Sequence, residues 1–460
     1  MASQRSDGDH LFRRTGARPL PRVVRAAGVW LETEDGRRYL DGSSGALVAA
    51  IGHGVREVIA AQQAQAAQVA YVHGSLFAVT AQEEFARRLA ALAPGDLTRV
   101  YPVSGGSEAT ETAIKFARQY FLETGRPSKH RVIGRWTSYH GNTLGALSVS
   151  GHVPRRRPYL PLLLDAPHIP PCYCYRCPYG LAHPTCGVRC AHALEEEIVR
   201  QGPEHVAAFI AEPLVGAAGG ALTPPPEYFR IIRAICDRYE VLFIADEVMT
   251  GIGRTGAAFA IDHWQVVPDI ITTGKGVSGG YAPLAAMIVR EPLFQAIAQG
   301  SGTFVHGFTY GGHPVACATG AAVLRYIESH GLIERAARLG AYLEPRLRAL
   351  LGSPIVGDVR GKGLMWGIEF VRDKATREPF DRAQRVAERV AEAAFARGLV
   401  VYPGFGNADG QRGDQVLVGP PLVVEPAELD LLVERLSDAV RAVAQALAGE
   451  SALGSGAAAT

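Results

Sequence analysis

The chain has 460 residues, of which 47% are hydrophobic and 20% are charged, and its formal net charge is +2. These values are typical of a globular protein, and the balanced charge gives no basic excess that would indicate nucleic-acid binding. The first residues lack the apolar stretch of a signal peptide and no apolar run is long enough for a membrane span, so we expect a cytoplasmic protein.

The first local elements lie near the N-terminus. Residues 1–12 and 449–460 are mostly small or polar, which predicts disorder at both ends. Apolar and polar residues alternate on either side of Asp35-Gly36, so a hairpin with a type I′ turn is predicted at 28–40. Thr80 and Glu83 have the spacing of a capping box, which predicts an amphipathic helix from Thr80 to about residue 93.

Strand and helix patterns alternate through the middle of the chain. The predicted strands are 100–103, 131–134, 206–211, 241–245, 270–272 and 284–289. Such alternation predicts an α/β fold, with a mainly parallel sheet covered by helices on both faces. This region forms the core of a large domain that we place at 66–328.

A smaller α+β domain is predicted at 329–448. Its strands are 363–371, 399–402 and 416–418, and it closes with a helix from 426 to about 447. We expect the N-terminal segment 13–65, including the hairpin, to join this small domain.

Chemistry-bearing residues follow several of the predicted strands. Strand 100–103 leads into Ser-Gly-Gly-Ser-Glu-Ala (104–109), where Gly106 and Ser107 would open a helix. Free amides at a helix N-terminus bind phosphate, although a simple helix cap has the same pattern. Tyr139 follows strand 131–134 and has the position of an aromatic that stacks on a flat ring, or that closes the core.

A lysine and an aspartate stand out at two further strand ends. The chain contains only five lysines, and Lys275 alone follows a β-branched apolar run and stands between two glycines; the other four have the polar or helical surroundings of surface residues. A partly desolvated lysine has a lowered pKa and becomes a usable amine. Asp246 ends a second apolar strand, and a buried carboxylate needs a cationic partner. A Schiff-base lysine and an aspartate that faces a pyridinium nitrogen are the groups by which proteins hold pyridoxal phosphate (PLP).

Two segments have alternative interpretations as metal sites. Cys174, Cys177, Cys186 and Cys190 have a spacing that suits zinc, but reduced thiols in an ordered loop are the commoner outcome. The segment 306–314 contains two histidines without a carboxylate or cysteine at a suitable spacing. We therefore expect no metal, with the four cysteines as the only candidates.

Taken together, the motifs resemble those of class III PLP-dependent aminotransferases of fold type I. They are Ser-Gly-Gly-Ser-Glu-Ala, Tyr-His-Gly, Ala-Glu-Pro, Ala-Asp-Glu-Val-Met-Thr-Gly, Gly-Lys-Gly, His-Gly-Phe-Thr-Tyr and Val-Arg-Gly-Lys-Gly-Leu, in family order over nearly the whole chain. The resemblance implies a large domain with a seven-stranded type of sheet and a homodimer that shares its active sites, with tetramers as a further option.

The resemblance also assigns roles to individual residues. It implies that Lys275 forms the Schiff base and transfers protons, while Asp246 pairs with the pyridine nitrogen. The remaining cofactor contacts that it implies are Gly106, Ser107, Tyr139, His140, Val248 and, from the other subunit, Thr309. Glu212 corresponds to a glutamate that orients the site, and Arg412 to a mobile arginine that pairs with a substrate carboxylate; a solvated loop arginine is the alternative for Arg412.

The expected reaction is the ping-pong transfer of an amino group from an amine, ω-amino acid or amino acid to a 2-oxo acid such as pyruvate or 2-oxoglutarate. An aminomutase or a decarboxylating aminotransferase would use the same cofactor and the same motifs. A zinc-dependent binding protein with an inactive PLP site is a third possibility, but the intact Lys275, Asp246, Ser107 and Tyr139 argue against it.

Overall fold

The computed structural model describes residues 10–12, 14 and 20–457, with only the backbone of 451–457. Its strands are β1 (Val23–Ala27), β2 (Trp30–Thr33), β3 (Arg38–Asp41), β4 (Leu97–Val103), β5 (Arg131–Arg135), β6 (His168–Ile169), β7 (Val206–Ala211), β8 (Leu242–Asp246), β9 (Ile270–Thr273), β10 (Ala285–Arg290), β11 (Val356–Lys362), β12 (Met365–Phe370), β13 (Leu399–Val400), β14 (Tyr402–Phe405) and β15 (Asp414–Val418). Its α-helices are α1 (Ser44–Leu47), α2 (Arg56–Gln68), α3 (Thr80–Leu92), α4 (Gly106–Glu123), α5 (Leu144–Val149), α6 (Val153–Arg156), α7 (Arg189–Gln201), α8 (Tyr228–Arg238), α9 (Glu291–Gln299), α10 (Pro314–Ser329), α11 (Leu332–Arg348), α12 (Val386–Ala396) and α13 (Pro426–Ala457).

The large sheet has seven strands in the order β4-β10-β9-β8-β7-β5-β6. Strands β5 to β9 pair in parallel, and β10 is antiparallel to both of its neighbours. Every residue of β7, β8 and β9 is buried, as expected for parallel strands that have helices on both faces. The predicted α/β fold with a mainly parallel seven-stranded sheet is confirmed, and the two-residue strand β6 was too short to predict.

Two four-stranded sheets complete the fold, in the orders β1-β2-β3-β13 and β11-β12-β15-β14. Strand β13 pairs in parallel with β3, so the N-terminal hairpin joins the C-terminal part of the chain as predicted. The domain boundaries at 66, 328 and 448 remain predictions.

Two details of the N-terminal predictions were wrong. The hairpin forms, but Asp35 does not have the positive φ that a type I′ turn requires, and only Gly36 does, at φ 77°. Helix α3 begins at Thr80, but Val79 is its N-cap and no side chain caps it. The extended backbone of Val79 moves Thr80 into the first turn of the helix, so the predicted capping box does not form.

The disorder predicted from residue 449 is wrong for the part that the structure describes, and the disorder predicted at 1–12 remains a prediction. Helix α13 extends to Ala457, so the segment predicted as a disordered tail from residue 449 begins as helix, and 458–460 lie outside the described residues. Most of the segment 1–12 also lies outside them.

The prediction that Lys129 is a surface residue was also wrong. Only 5% of it is exposed, and its Nζ donates hydrogen bonds of 3.0, 3.0 and 3.1 Å to the carbonyls of Pro203, Val206 and Tyr239. Burial lowers the pKa of this amine. Since three carbonyls already occupy its three N–H donors, Lys129 has a structural role and leaves Lys275 as the amine available for chemistry.

Within the described residues, no helix is both long and apolar enough to cross a bilayer.

Candidate active site

The candidate site lies where the large sheet presents the carboxyl ends of its parallel strands. Asp246 is the last residue of β8, and Lys275 and Glu212 follow β9 and β7 almost directly. Open α/β sheets bind their ligands along this edge. The fold therefore brings together residues that are far apart in the sequence.

The N-terminus of α4 supplies an anion-binding surface at the same edge. No side chain of the described residues caps this helix, so within them the amides of its first turn are free for a ligand. The Ser107 Oγ accepts a 2.9 Å hydrogen bond from the Asn142 amide. A Cβ at Gly106 would lie 2.7 Å from Cγ1 of Val248, so only glycine lets the helix start approach the cavity this closely.

Asp246 is held in a fixed orientation by three neighbours. The carboxylate is 3% exposed, and its Oδ2 lies 2.7 Å from Nδ1 of His140. Its Oδ1 accepts hydrogen bonds from the Val248 amide at 3.1 Å and from the Thr272 hydroxyl at 3.3 Å. The Nε2 of His140 is buried and has no partner within the described structure. The contact of His140 with the described site residues is thus made through Asp246, and its role toward the cofactor remains a prediction.

Lys275 occupies a strained backbone position beside Asp246. Its φ is 45°, in the left-handed region that a non-glycine residue rarely adopts and that costs on the order of 1 kcal/mol. Its Nζ makes no hydrogen bond to any of the described residues. Burial lowers its pKa to about 8, although the charges of Asp246 and Glu212 act in the opposite direction. The result is an amine that is partly unprotonated near neutral pH.

Glu212 links the carboxyl end of β7 to Tyr139, the aromatic residue that borders the cavity. One oxygen accepts the Tyr139 amide at 2.9 Å, and the other accepts the Gly216 amide at 2.7 Å. Burial raises the pKa of this carboxyl group. Glu212 therefore fixes the backbone of Tyr139, and its role in orienting the site remains a prediction.

One cavity gathers most of the predicted site residues. It is lined by Gly106, Ser107, Tyr139, His140, Glu212, Asp246, Val248 and Lys275, together with Gly141, Ala217 and Met249. The last three were missed. Gly141 and Met249 lie next to motif residues that were assigned, whereas Ala217 follows Ala-Glu-Pro in an apolar loop without a recognisable signal.

Two predicted residues lie elsewhere. Thr309 is exposed, and it borders a separate surface depression together with Tyr71, whose hydroxyl donates to its carbonyl at 2.9 Å. Arg412 is partly buried, and its guanidinium contacts Asp409 and Glu378, both at 2.8 Å. The roles expected for Thr309 and Arg412 remain predictions.

The four candidate zinc ligands border a small depression of their own. Among the residues that the structure describes, no group of three or more His, Cys, Asp or Glu side chains could hold a metal ion. The Cys190 Sγ instead lies 3.5 Å from that of Cys172. His306 is also engaged, with its Nε2 2.9 Å from the Thr112 hydroxyl. The metal interpretation therefore gains no support from the described residues.

The residues of the cavity fit PLP. A free helix N-terminus suits the phosphate, the buried Asp246 suits a protonated ring nitrogen, and Lys275 is an amine without a protein partner. Tyr139 and Val248 border the space between these groups and are the residues that would contact the ring.

Comparisons with known proteins agree with this geometry. The family model described as "Aminotransferase class-III" matches residues 12–440. The chain is 43% identical over 432 residues to the uncharacterized aminotransferase YodT of Bacillus subtilis, covering 92% of this chain and 95% of that protein.

Two solved structures are similar in both fold and sequence. An (S)-enantioselective omega-transaminase from Thermomicrobium roseum is 39% identical with a TM-score of 0.86, covering 92% of this chain and 93% of that one. An amine transaminase from an uncultivated Pseudomonas species, solved in the PLP-bound form, is 35% identical with a TM-score of 0.88, covering 94% and 99%. The chain thus belongs to the class III aminotransferases, and it is an enzyme that depends on PLP.

Proposed function

We propose that this enzyme transfers an amino group from a primary amine, ω-amino acid or amino acid to a 2-oxo acid, in a ping-pong reaction. The observation that carries the proposal is the juxtaposition of Lys275, with its lowered pKa, and the buried Asp246 in one cavity. The omega-transaminase from T. roseum supports an amine or ω-amino acid as the donor.

The residues of this chain have two roles: some would hold the cofactor, and Lys275 would transfer the proton. The first turn of α4 binds the phosphate, and Asp246 keeps the ring nitrogen protonated while His140 fixes the carboxylate. When bound, PLP withdraws electrons from the carbon that carries the amino group. Lys275 Nζ would remove the proton from that carbon as general base and then deliver it, as general acid, to the cofactor carbon on the other side of the nitrogen.

We further propose that the enzyme works as a homodimer in which Thr309 reaches the site of the other subunit. Thr309 is exposed and lies outside the cavity of its own chain. Tyr71, which borders the same depression as Thr309, and Tyr310, whose ring packs against that of Tyr71, have 43% and 61% of their surface accessible, and large apolar side chains at a surface favour a protein contact.

An amino-donor screen tests the proposed function. The purified enzyme is incubated with PLP, pyruvate or 2-oxoglutarate, and a panel of amines, ω-amino acids and amino acids. We expect at least one pair to give equal amounts of carbonyl product and new amino acid. Release of carbon dioxide, or a donor whose amino group only changes position, would favour the decarboxylating or aminomutase alternatives.

The pKa of Lys275 predicts how the apoprotein captures PLP. Only the unprotonated amine reacts, so below pH 8 the capture rate should rise about tenfold per pH unit and should level off above it. The rate is measured by borohydride trapping of the lysine-bound cofactor at a series of pH values. A rate that keeps rising to about pH 10, as for an ordinary lysine, would contradict the lowered pKa.

A further inference from the structure

Arg155 packs against Tyr139, the aromatic residue that borders the active-site cavity, although the sequence motifs did not identify it. It belongs to the short helix α6, and its guanidinium carbon lies 4.1 Å from the centroid of the Tyr139 ring. Tyr139 borders the same cavity as Lys275. The positive charge of Arg155 also contributes to the lowering of the Lys275 pKa. The positive charge of Arg155 therefore lies close enough to influence Lys275.

The side chain of Arg155 has unused hydrogen-bond donors. Its one polar contact is a 3.3 Å hydrogen bond from NH2 to the hydroxyl of Tyr402, and none of the described carboxylates forms an ion pair with it. A guanidinium has five N–H donors, so most of them are free to bind a ligand. Its backbone amide is held separately, 3.4 Å from Nδ1 of His152.

Neighbouring arginines are already engaged. Arg156 is buried and donates to three backbone carbonyls, those of Leu147, Ser148 and Ser150. Arg412 already pairs with Asp409 and Glu378, two carboxylates that a substrate would have to displace. Of these three cations, Arg155 alone both packs against a residue that lines the cavity, Tyr139, and lacks a carboxylate or carbonyl partner for its side chain among the described residues.

We propose that the Arg155 guanidinium binds the carboxylate of the substrate, that of the 2-oxo acid in one half-reaction and that of the amino acid in the other. The inference rests on the proposed aminotransferase function and identifies its specificity residue. A planar guanidinium matches a carboxylate through two parallel hydrogen bonds, and the partial burial of Arg155 beside Tyr139 limits competition from water. Packing on the Tyr139 ring holds the Arg155 guanidinium in place without using its N–H donors.

Carboxylate binding can be measured without turnover. Propionate and glutarate carry the carboxylate but neither an amino nor an oxo group, so they are titrated calorimetrically into the PLP-loaded enzyme. Arg155→Gln should weaken binding of the better analogue by roughly 10- to 150-fold, because a charge-assisted pair is lost. Arg155→Lys should recover part of the affinity. Arg157→Gln, the matched control, removes the neighbouring exposed arginine and should change it by less than about fivefold, while Arg412→Gln tests the alternative carboxylate anchor.

The two half-reactions then separate a substrate contact from a structural role. In Arg155→Gln, the reaction of the PLP form with alanine and that of the pyridoxamine form with pyruvate should both slow by roughly 10- to 150-fold. The reaction with 1-phenylethylamine, which has no carboxylate, should change by less than about fivefold, reflecting only the lost contact with Tyr139. Circular dichroism checks that the variant is folded.

Several outcomes would overturn the inference. They are unchanged analogue binding in Arg155→Gln, equal losses with alanine and 1-phenylethylamine, a loss confined to Arg412→Gln, and no binding of either analogue by the wild type. A wild type that binds the analogues through Arg155 but transfers no amino group would instead contradict the proposed function and leave the carboxylate site intact.

Discussion

Replacing Lys275 with alanine is expected to abolish amino-group transfer, with a loss of at least about 10⁴-fold. The variant loses both the amine that binds the cofactor covalently and the group that moves the substrate proton. The Lys275 Nζ makes no hydrogen bond to the described residues, and alanine retains the Cβ at the φ of 45° so that the backbone strain is unchanged; the fold should therefore persist. Steady-state assays with the best donor and acceptor measure the loss.

Two controls separate loss of chemistry from loss of structure. Lys275→Ala should still bind PLP by equilibrium dialysis, because the first turn of α4 is unchanged, while borohydride should attach no cofactor to the protein. Lys115→Ala removes an exposed lysine and should keep full activity. Substantial turnover by Lys275→Ala would exclude Lys275 as the reacting amine.

Asp246→Asn is expected to retain the bound cofactor but to lower turnover by about 10²- to 10³-fold. The amide is nearly isosteric and can keep contacts with the Val248 amide and the Thr272 hydroxyl. It cannot stabilise a protonated ring nitrogen, so the electron withdrawal that the reaction needs is weakened. The rate of the first half-reaction, followed by the change in cofactor absorbance, measures the effect.

Asp165→Asn serves as the matched control for this variant, because Asp165 is an exposed carboxylate and does not border the cavity. It should retain the wild-type rate. A loss below about tenfold in Asp246→Asn, equivalent to roughly 1.4 kcal/mol of barrier, would show that Asp246 is not the partner of the ring nitrogen.

Sequence patterns predicted those parts of the site that depend on short contiguous motifs. Asp246 ends one buried strand, Lys275 follows another, and Gly106 follows the partly exposed strand β4; parallel strands necessarily bring their carboxyl ends to one edge. The fold class followed from the same alternation of strands and helices. The positions of these residues could therefore be inferred without knowing any tertiary contact.

The parts that the sequence did not predict depend on long-range contacts. Lys129 has the surroundings of a surface lysine in the sequence, and only the carbonyls of residues more than 70 positions away make it a buried one. Arg155 stands in a run of three arginines, and its place over Tyr139 depends on how α6 packs. Arg412 has the pattern of a mobile substrate arginine, yet the structure pairs it with Glu378, 34 residues away.

Transfer of a nitrogen label tests the central claim most directly. The PLP-loaded enzyme is given a donor with ¹⁵N in its amino group and an unlabelled 2-oxo acid, and the products are analysed by mass spectrometry. The account predicts that the label appears in the new amino acid in amounts equal to the carbonyl product, and that Lys275→Ala transfers none. Label recovered as ammonia, or retained in a rearranged donor, would contradict the assignment of this chain as an aminotransferase that acts through Lys275.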